Sequence, residues 1–448
     1  MTQKQETIGK GVDTTVVLLY YALVLIGLIA IFSVEYRFND NVLQSILELK
    51  KNYAKQILFI GVSGLTAVVI LLIDSKFFTT TANLLYFFGI LLMLLTFVIG
   101  KDISGSRSWI ALGGGFNLQP AELCKVFTSL ALAKYLSRQE TDFTNIRSQL
   151  ISFAIVLSPA VLSIAQKETG LALVYFSFFL VLYREGLPPG YLIIGFSGIV
   201  LFVAAIVVDP DVLAIALTVI GLLVIYFLWR KIKRNRSILF IIVMVWVFAI
   251  GLQRVALPVL FDKVFKPYQV ERILGMFGKE YEPKDPVRKA MLEKEMATGK
   301  KKDRNYNVKQ SKIAIGSGGL LGKGFLKGVT TQGDFVPEQH TDFIFTAVAE
   351  SFGFWGSALM LGLYFFMLMR IIIIAERQRS TFSRVYAYSV ASILFFHIFI
   401  NICMTIGLMP VIGITLPLLS YGGSSLITFT TLIFIMLRLD ANRQMVLR

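Results

Sequence analysis

The sequence predicts an all-α polytopic membrane protein, a bundle of about twelve transmembrane helices with one large outer loop. Three observations carry that prediction. Of the 448 residues, 56% are hydrophobic and 16% charged, with a mean hydropathy of +0.70, a balance that a water-soluble globular domain does not tolerate. A bilayer core takes roughly 20 apolar residues per helical crossing. Such runs recur at 15–33, 56–73, 82–99, 120–136, 149–165, 169–183, 191–208, 212–229, 237–252, 343–375, 386–408 and 424–438. Finally, 44 Lys and Arg against 28 Asp and Glu give a net charge of +16. In a soluble protein that excess would suggest nucleic acid. Here the basic residues stand between apolar runs, where they set topology and meet anionic lipid head groups, so no nucleic-acid partner is expected.

The polar start Met1–Asp13 leads into a run too long for a signal-peptide core and without a small-residue cleavage site, so no cleavable leader is expected. With the N-terminus inside, the inner loops carry Lys76, then Lys134, Arg138 and Arg147, then Arg184, then Arg230, Lys231, Lys233, Arg234 and Arg236, then Arg377, Arg379 and Arg384, and last Arg438, Arg443 and Arg448. The outer connections near Asp209–Asp211 and at Pro410–Ser424 hold no basic residue, although Arg37, Lys50 and Lys51 run against the rule. This asymmetry predicts N-in, C-in. The run bounded by Glu168 and Arg184 is short and must borrow polar ends. The run after Asp342 is long enough to tilt and emerge into the cytoplasm. Cys124 and Cys403 both lie in apolar runs and suggest neither a disulfide framework nor a zinc site.

From residue 253 to 341 no span is evident, and long connections are usually functional. On the N-in topology this is a large extracytoplasmic loop within a single integral membrane domain covering residues 1–448, and residues 280–305 form a charged insertion in it. Asp285-Pro286 starts a helix that Gly299 stops, either solvated or lying on the outer head groups. The stretch from Tyr306 to Gly324 is rich in glycine and flanked by lysines. Such runs can point successive N–H groups at a phosphate. It is not a P-loop, because Ser317 stands where that motif needs glycine and Gly324 follows Lys323, and a turn-rich loop is the expectation.

Next comes a polar cluster, Pro337-Glu338-Gln339-His340-Thr341-Asp342, abutting a span. A carboxylate where water gives way to lipid is either a helix N-terminal residue or a reactive group tuned by partial burial. Glu350 lies about two turns deeper, so both acids could line one cavity; pairing with a basic residue accounts for Glu350 equally well. At the head of another span, Pro120 suits a first helical position, and Glu122 with Lys125 makes an i,i+3 pair able to neutralise itself. The rival reading has Lys125 meeting an anionic substrate while Glu122 orients it. Between Gly407 and Ser424, prolines and glycines crowd an apolar stretch, and irregular backbone at membrane depth survives only when buried in protein or lining a watery cavity. His397, on an apolar helix, reads as a hydrogen-bonded packing residue.

These motifs resemble the SEDS family (shape, elongation, division and sporulation), whose members include RodA and FtsW. The resemblance runs through most of the chain. It rests on Pro337-Glu-Gln-His-Thr-Asp-Phe-Ile-Phe345, Gln310-Ser-Lys-Ile-Ala-Ile-Gly-Ser-Gly-Gly319, Gln119-Pro-Ala-Glu-Leu-Cys-Lys125 and Leu416-Pro-Leu-Leu-Ser-Tyr-Gly-Gly-Ser424. Tyr268-Gln269 with Glu271-Arg272 looks more like RodA than FtsW. Two pieces depart from the family pattern: Gln166-Lys-Glu-Thr-Gly170 lengthens the acid of a Gln-Pro-Asp-Leu-Gly turn, and Arg107-Ser-Trp109 separates an Arg-Trp pair. Family members have about ten spans, and the extra pair is expected between Tyr191 and Leu252.

The resemblance implies a peptidoglycan glycosyltransferase polymerising lipid II at the outer face of the bacterial cytoplasmic membrane, for cell elongation and shape. It also implies a divalent cation (Mg2+ or Mn2+), a class B penicillin-binding protein as transpeptidase partner, and other cell-elongation proteins. Asp342 matches the family's essential aspartate, while Glu122 and Lys125 match a pair beside its central cavity. An α-linked pyrophosphate converted to a β-1,4 glycoside requires inversion, with a base for the attacking hydroxyl. Asp342 is the candidate base, or alternatively a metal ligand. Lys125, Arg107, Arg272 and Lys312 are candidates to neutralise the leaving pyrophosphate, and His340 and Ser420 complete the substrate-binding set. A lipid II flippase is the second reading, since flippases also want charged cavities and broken helices. A non-catalytic scaffold of the cell-wall synthesis complex is the third.

Overall fold

In a computed structural model of the chain, the described residues are 11–38, 40–103, 106–113, 116–261 and 306–443, with Val270 and Leu274. The apolar runs become helices at starts that the local sequence sets. Asp13, Asp74, Asn145 and Asp209 each accept a backbone N–H of the first turn, from Val16 at 3.3 Å, Lys76 at 2.8 Å, Arg147 at 2.9 Å and Asp211 at 2.9 Å. Pro120 and Pro210 open their helices where a missing N–H costs nothing.

The helices are α1 Thr14–Glu35, α2 Val42–Leu47, α3 Asn52–Leu72, α4 Ser75–Ile99, α5 Pro120–Leu136, α6 Ile146–Ala165, α7 Thr169–Tyr175 and α8 Phe178–Arg184. They continue as α9 Gly190–Val207, α10 Pro210–Arg234 and α11 Ser237–Val259, then α12 Tyr306–Gly318, α13 Val329–Gln332, α14 Ile344–Glu376, α15 Thr381–Thr405 and α16 Gly423–Ala441. All twelve expected runs are helical. Among the described residues, ten helices are long and apolar enough to cross a membrane: α1, α3, α4, α6, α9, α10, α11, α14, α15 and α16. The two that fall short do so for visible reasons. α5, at 17 residues, carries Glu122, Lys125 and Lys134, and the run Thr169–Arg184 breaks between Tyr175 and Phe178.

The body is all-α and polytopic, with one addition that helical periodicity does not reveal. Lys101–Ile103, Ser106–Gly113 and Phe116–Leu118 form a small antiparallel sheet in the order β1-β2-β3, with Lys101 opposite Trp109 and Ile110 opposite Leu118. Along β2 the side chains alternate, with Ser106 and Ser108 buried and Arg107 exposed.

The long connection also differs from expectation. Its first residues extend α11 through a π-helical turn at Leu252–Ala256, and of the stretch Tyr306–Gly324 read as a turn-rich loop, Tyr306–Gly318 is the helix α12 while 319–324 form the expected turns. Small residues give α12 one flat face, with Ser311, Ala314 and Gly318 buried. A Cβ on Gly318 would stand 2.1 Å from the Ala349 carbonyl oxygen, so glycine there permits backbone-to-backbone packing. The helix expected after Asp285-Pro286, the 280–305 insertion and the Tyr268–Arg272 motif lie outside the described residues.

Packing divides the chain into two compact units, one built on α1–α8 and α12–α16, the other on α9–α11. In the first, α5, α15 and α16 form the centre. α14 spans 33 residues and breaks at Gly353, where φ is 65° and ψ −158°. At one end of this unit an ionic cluster ties distant segments together. Arg370 donates to Asp13 at 2.8 Å, and Arg377 donates to both Asp13, at 3.1 Å, and Asp440. Arg384 meets Glu185 at 2.8 Å, and Arg184 meets Glu376 at 3.0 Å. The starts of α1 and α15 and the ends of α8, α14 and α16 therefore share one end, and the polar motifs gather at the other.

Candidate active site

The approach to α14 is a series of turns. The Glu338 carbonyl accepts from the N–H groups of Thr341 and Phe343, both at 3.3 Å, and Val336 and Phe343 pack with Met404. The irregular stretch between α15 and α16 grips the main chain on either side of Asp342. The Tyr421 N–H donates to the His340 carbonyl at 2.9 Å, and the Ser420 hydroxyl donates to the Thr341 carbonyl at 2.6 Å. Asn401 Nδ2 donates to the carbonyls of Asp342, at 2.8 Å, and Ile414, at 2.6 Å.

With its backbone held this way, the Asp342 side chain accepts no hydrogen bond and forms no ion pair among the described residues. It is half-buried, beside Gly413, where an added Cβ would lie 3.5 Å from its Oδ2. Burial, and then the negative charges of Glu338 and Glu168, push this carboxyl up to about 7. Ser108 Oγ donates to Glu168 at 2.6 Å, and Ser106 Oγ reaches the Gln166 carbonyl at 2.8 Å, so β2 fixes the turn that carries Glu168. Three non-glycine residues with left-handed backbone lie in the turns around Asp342: Lys167 (φ 68°), Glu338 (φ 54°) and Leu418 (φ 66°). Such strain persists only where the surroundings over-determine it, and it gathers at functional sites.

The second cluster is buried in the helices. Lys125 lies 2.8 Å from Glu122 and 2.8 Å from His397 Nε2, over the Phe429 ring at 5.1 Å. His397 Nδ1 in turn lies 3.1 Å from the Thr415 carbonyl. Lys125 is fully inaccessible and Glu122 4% exposed, so the pair neutralises itself in place. It ties α5 to α15 and, through His397, to the irregular stretch that holds Asp342. His397 is the hydrogen-bonded packing residue the sequence suggested.

Glu350 is paired rather than free. Its side chain is wholly buried and accepts from Lys323 at 2.8 Å, from the backbone N–H groups of Thr330 and Thr331 at 3.0 and 2.7 Å, and from Thr331 Oγ1 at 2.6 Å. Pairing with a basic residue accounts for it, and α12, α13 and α14 meet on this anchor.

The remaining expected residues are dispersed. Arg107 is exposed on β2 and Lys312 on α12, its ammonium group beside Gly407. His340 stands edge-on to the Tyr421 ring at 5.6 Å. Ser420 is buried, and its hydroxyl also accepts from the Leu416 N–H at 2.8 Å, so it braces the turn. Arg272 lies outside the described residues. Among the described residues, no group of three His, Cys, Asp or Glu stands close enough to hold a metal ion. Sequence reasoning missed the parts of Glu168 and Asn401. The acid retained in the departing Gln166–Gly170 turn was the available signal for Glu168; nothing local marked Asn401.

Comparisons with known proteins agree on one family. The cell cycle protein family of FtsW, RodA and SpoVE matches residues 13–208 and 188–445. The peptidoglycan glycosyltransferase MrdB of Escherichia coli K12 is 30% identical over 80% of this chain and 76% of its own. The peptidoglycan glycosyltransferase RodA of Treponema pallidum is 28% identical over 93% of this chain and 94% of its own. A probable peptidoglycan glycosyltransferase FtsW of Coxiella burnetii is also 28% identical, over 98% of each chain. The match therefore does not separate the RodA and FtsW branches. A chain of a peptidoglycan synthase complex, solved to describe how polymerization and crosslinking are coordinated, superimposes with a TM-score of 0.65 at 25% identity, over 96% of this chain and 98% of that one.

Proposed function

The chain belongs to the FtsW, RodA and SpoVE family of cell cycle proteins, and from that membership we propose that it is a peptidoglycan glycosyltransferase polymerising lipid II; the Tyr268-Gln269 and Glu271-Arg272 motif of the sequence supports the RodA branch, which serves elongation and shape. In this reading it crosses the bacterial cytoplasmic membrane about twelve times, N-in and C-in, with α5 and the α7–α8 run as the two short crossings. The end carrying Asp342 faces outward, opposite the arginine-rich end.

One observation carries the chemistry: among the described residues the Asp342 carboxyl has no donor, while the carbonyls of His340, Thr341 and Asp342 are each held by a hydrogen bond. A general base must be free to take a proton and have a pKa near the working pH, and burial together with two neighbouring acids brings Asp342 there. The acceptor sugar hydroxyl gives its proton to this carboxylate as its oxygen attacks the anomeric carbon, and the polyprenyl pyrophosphate departs from the opposite face, inverting the centre. Exposed Arg107 and Lys312 neutralise the leaving oxygens, as does Arg272 in this proposal. Glu122 and Lys125 act by position, locking α5 to α15 under the turn.

Oxygen donors alone, one or two carboxylates completed by substrate phosphates, are what Mg2+ or Mn2+ prefers. Glu338 and Glu168 beside Asp342 fit that description, with Asp342 itself as a ligand only in the alternative to its role as base, and the ion would supply charge neutralisation at the pyrophosphate. A class B penicillin-binding protein is the proposed partner, together with other elongation proteins. The test is gel analysis of glycan made from purified lipid II, with and without divalent cation, by wild type and Asp342→Asn. Cation-dependent product from wild type and none from the variant are expected. With lipid II confined to the outer leaflet of a vesicle, continued synthesis separates this enzyme from a flippase.

A further inference from the structure

The second unit holds a feature that glycosyl transfer does not use. Between Val212 and Phe261 the sequence has no Asp or Glu, yet Arg230, Lys231, Lys233, Arg234 and Arg236 fall within one short run at the end of α10. All five are exposed, and none forms an ion pair among the described residues. At 100° per residue, Leu222, Tyr226, Trp229 and Lys233 share one stripe of α10, flanked by Ile225 and Arg230. Lys233 Nζ lies over the Trp229 ring at 5.7 Å. Along this stripe runs a groove of about 660 Å³ lined by Leu222, Ile225, Tyr226, Phe227, Trp229 and Arg230.

The order along the stripe is aliphatic, aromatic, cationic. From Leu222 to Lys233 the helix rises about 16 Å, close to half of a bilayer core about 30 Å thick. Tyr and Trp favour the level of the head groups, and clustered Lys and Arg just beyond a span attract anionic lipid. We propose that this end of α10 is a binding site for one anionic phospholipid, its phosphate between Arg230 and Lys233 and an acyl chain along Leu222, Tyr226 and Trp229. Charge complementarity selects the occupant: an apolar groove ending in exposed cations fits a molecule that is apolar at one end and anionic at the other. The proposal depends neither on the glycosyltransferase reading nor on which leaflet is involved.

The full chain, purified in detergent, is titrated with phosphatidylglycerol or with phosphatidylcholine of the same acyl chains, and retained lipid is read by native mass spectrometry. Wild type is expected to retain one phosphatidylglycerol in preference to phosphatidylcholine. Removing a cation near anionic lipid weakens attachment about five-fold, so Arg230→Gln/Lys233→Gln is expected to lose about 30-fold. Lys231→Gln/Arg236→Gln, an equal charge change off the stripe, is expected to lose less than five-fold, and Trp229→Ala to weaken retention with all cations in place. Equal losses from both double variants would reduce the site to unspecific surface charge. Equal retention of the two lipids, or displacement of phosphatidylglycerol by millimolar inorganic phosphate alone, would overturn it.

Discussion

Asp342, two residues before α14, and Glu350, in its second turn, meet opposite conditions. Glu350 is the more deeply buried, yet two backbone N–H groups, a hydroxyl and an ammonium surround it. Asp342 is the less buried, has no donor among the described residues, and faces the charges of Glu338 and Glu168. Burial by itself does not mark a reactive acid; what matters is whether the surroundings supply hydrogen bonds to its charged form. Where they do, the acid fastens segments together. Where they fix only the backbone, the side chain stays free to take a proton.

The comparison can be broken by exchanging its terms, starting where the effect is largest. Lys125→Ala leaves Glu122 charged and unpaired in the helical core, with an expected loss of about 3–5 kcal/mol seen as a lowered Tm and reduced yield. Glu122→Gln/Lys125→Met removes both charges and is expected to cost less than that single change; a sum of two full penalties would show that the pair is not a unit. Glu350→Ala orphans the Thr330 and Thr331 N–H groups and releases Lys323, with an expected loss of about 3 kcal/mol and α12–α14 opening first in hydrogen exchange. Gly318→Ala pushes a methyl group into the Ala349 carbonyl and is expected to cost about 1–3 kcal/mol, with partial loss of activity as α12 lifts from α14.

A pH profile sharpens the same contrast. A base must be deprotonated, so with Asp342 raised to about 7 the rate is expected to fall about tenfold per pH unit below that value and to level off above it. The sign for stability is opposite. A carboxyl raised in the folded protein favours folding when protonated, so this group's contribution declines as pH rises from its ordinary value near 4 through 7. Asn at 342 removes that decline. A wild-type rate that is flat between pH 5 and 8 would detach Asp342 from proton transfer.

Much of the fold was legible because bilayer thickness imposes a length and a composition that single sequences display. The run at 343–375 appears as Ile344–Glu376 and that at 424–438 as Gly423–Ala441. The small sheet escaped because its alternation, Ser106 and Ser108 against Arg107 and Trp109, is brief and polar on its buried face. α12 escaped because glycine counts as a helix breaker in water, whereas here it forms the flat face that meets α14. At the site, Asp342 and the Glu122–Lys125 pair were visible as charges where charges are rare. The linkage of Lys125 to His397, and the grip of Asn401 on Asp342, join residues far apart in the chain. Spacing along a sequence carries no trace of such contacts.

The central claim is that a carboxylate left without donors performs the proton transfer, and Asp342→Asn tests it when polymerisation and thermal stability are read on the same purified protein. The account predicts at least about a 100-fold loss of glycan from lipid II, with a Tm equal to or above that of wild type because a charge disfavoured by its surroundings is gone. Near-normal glycan from a well-folded Asn variant would contradict it.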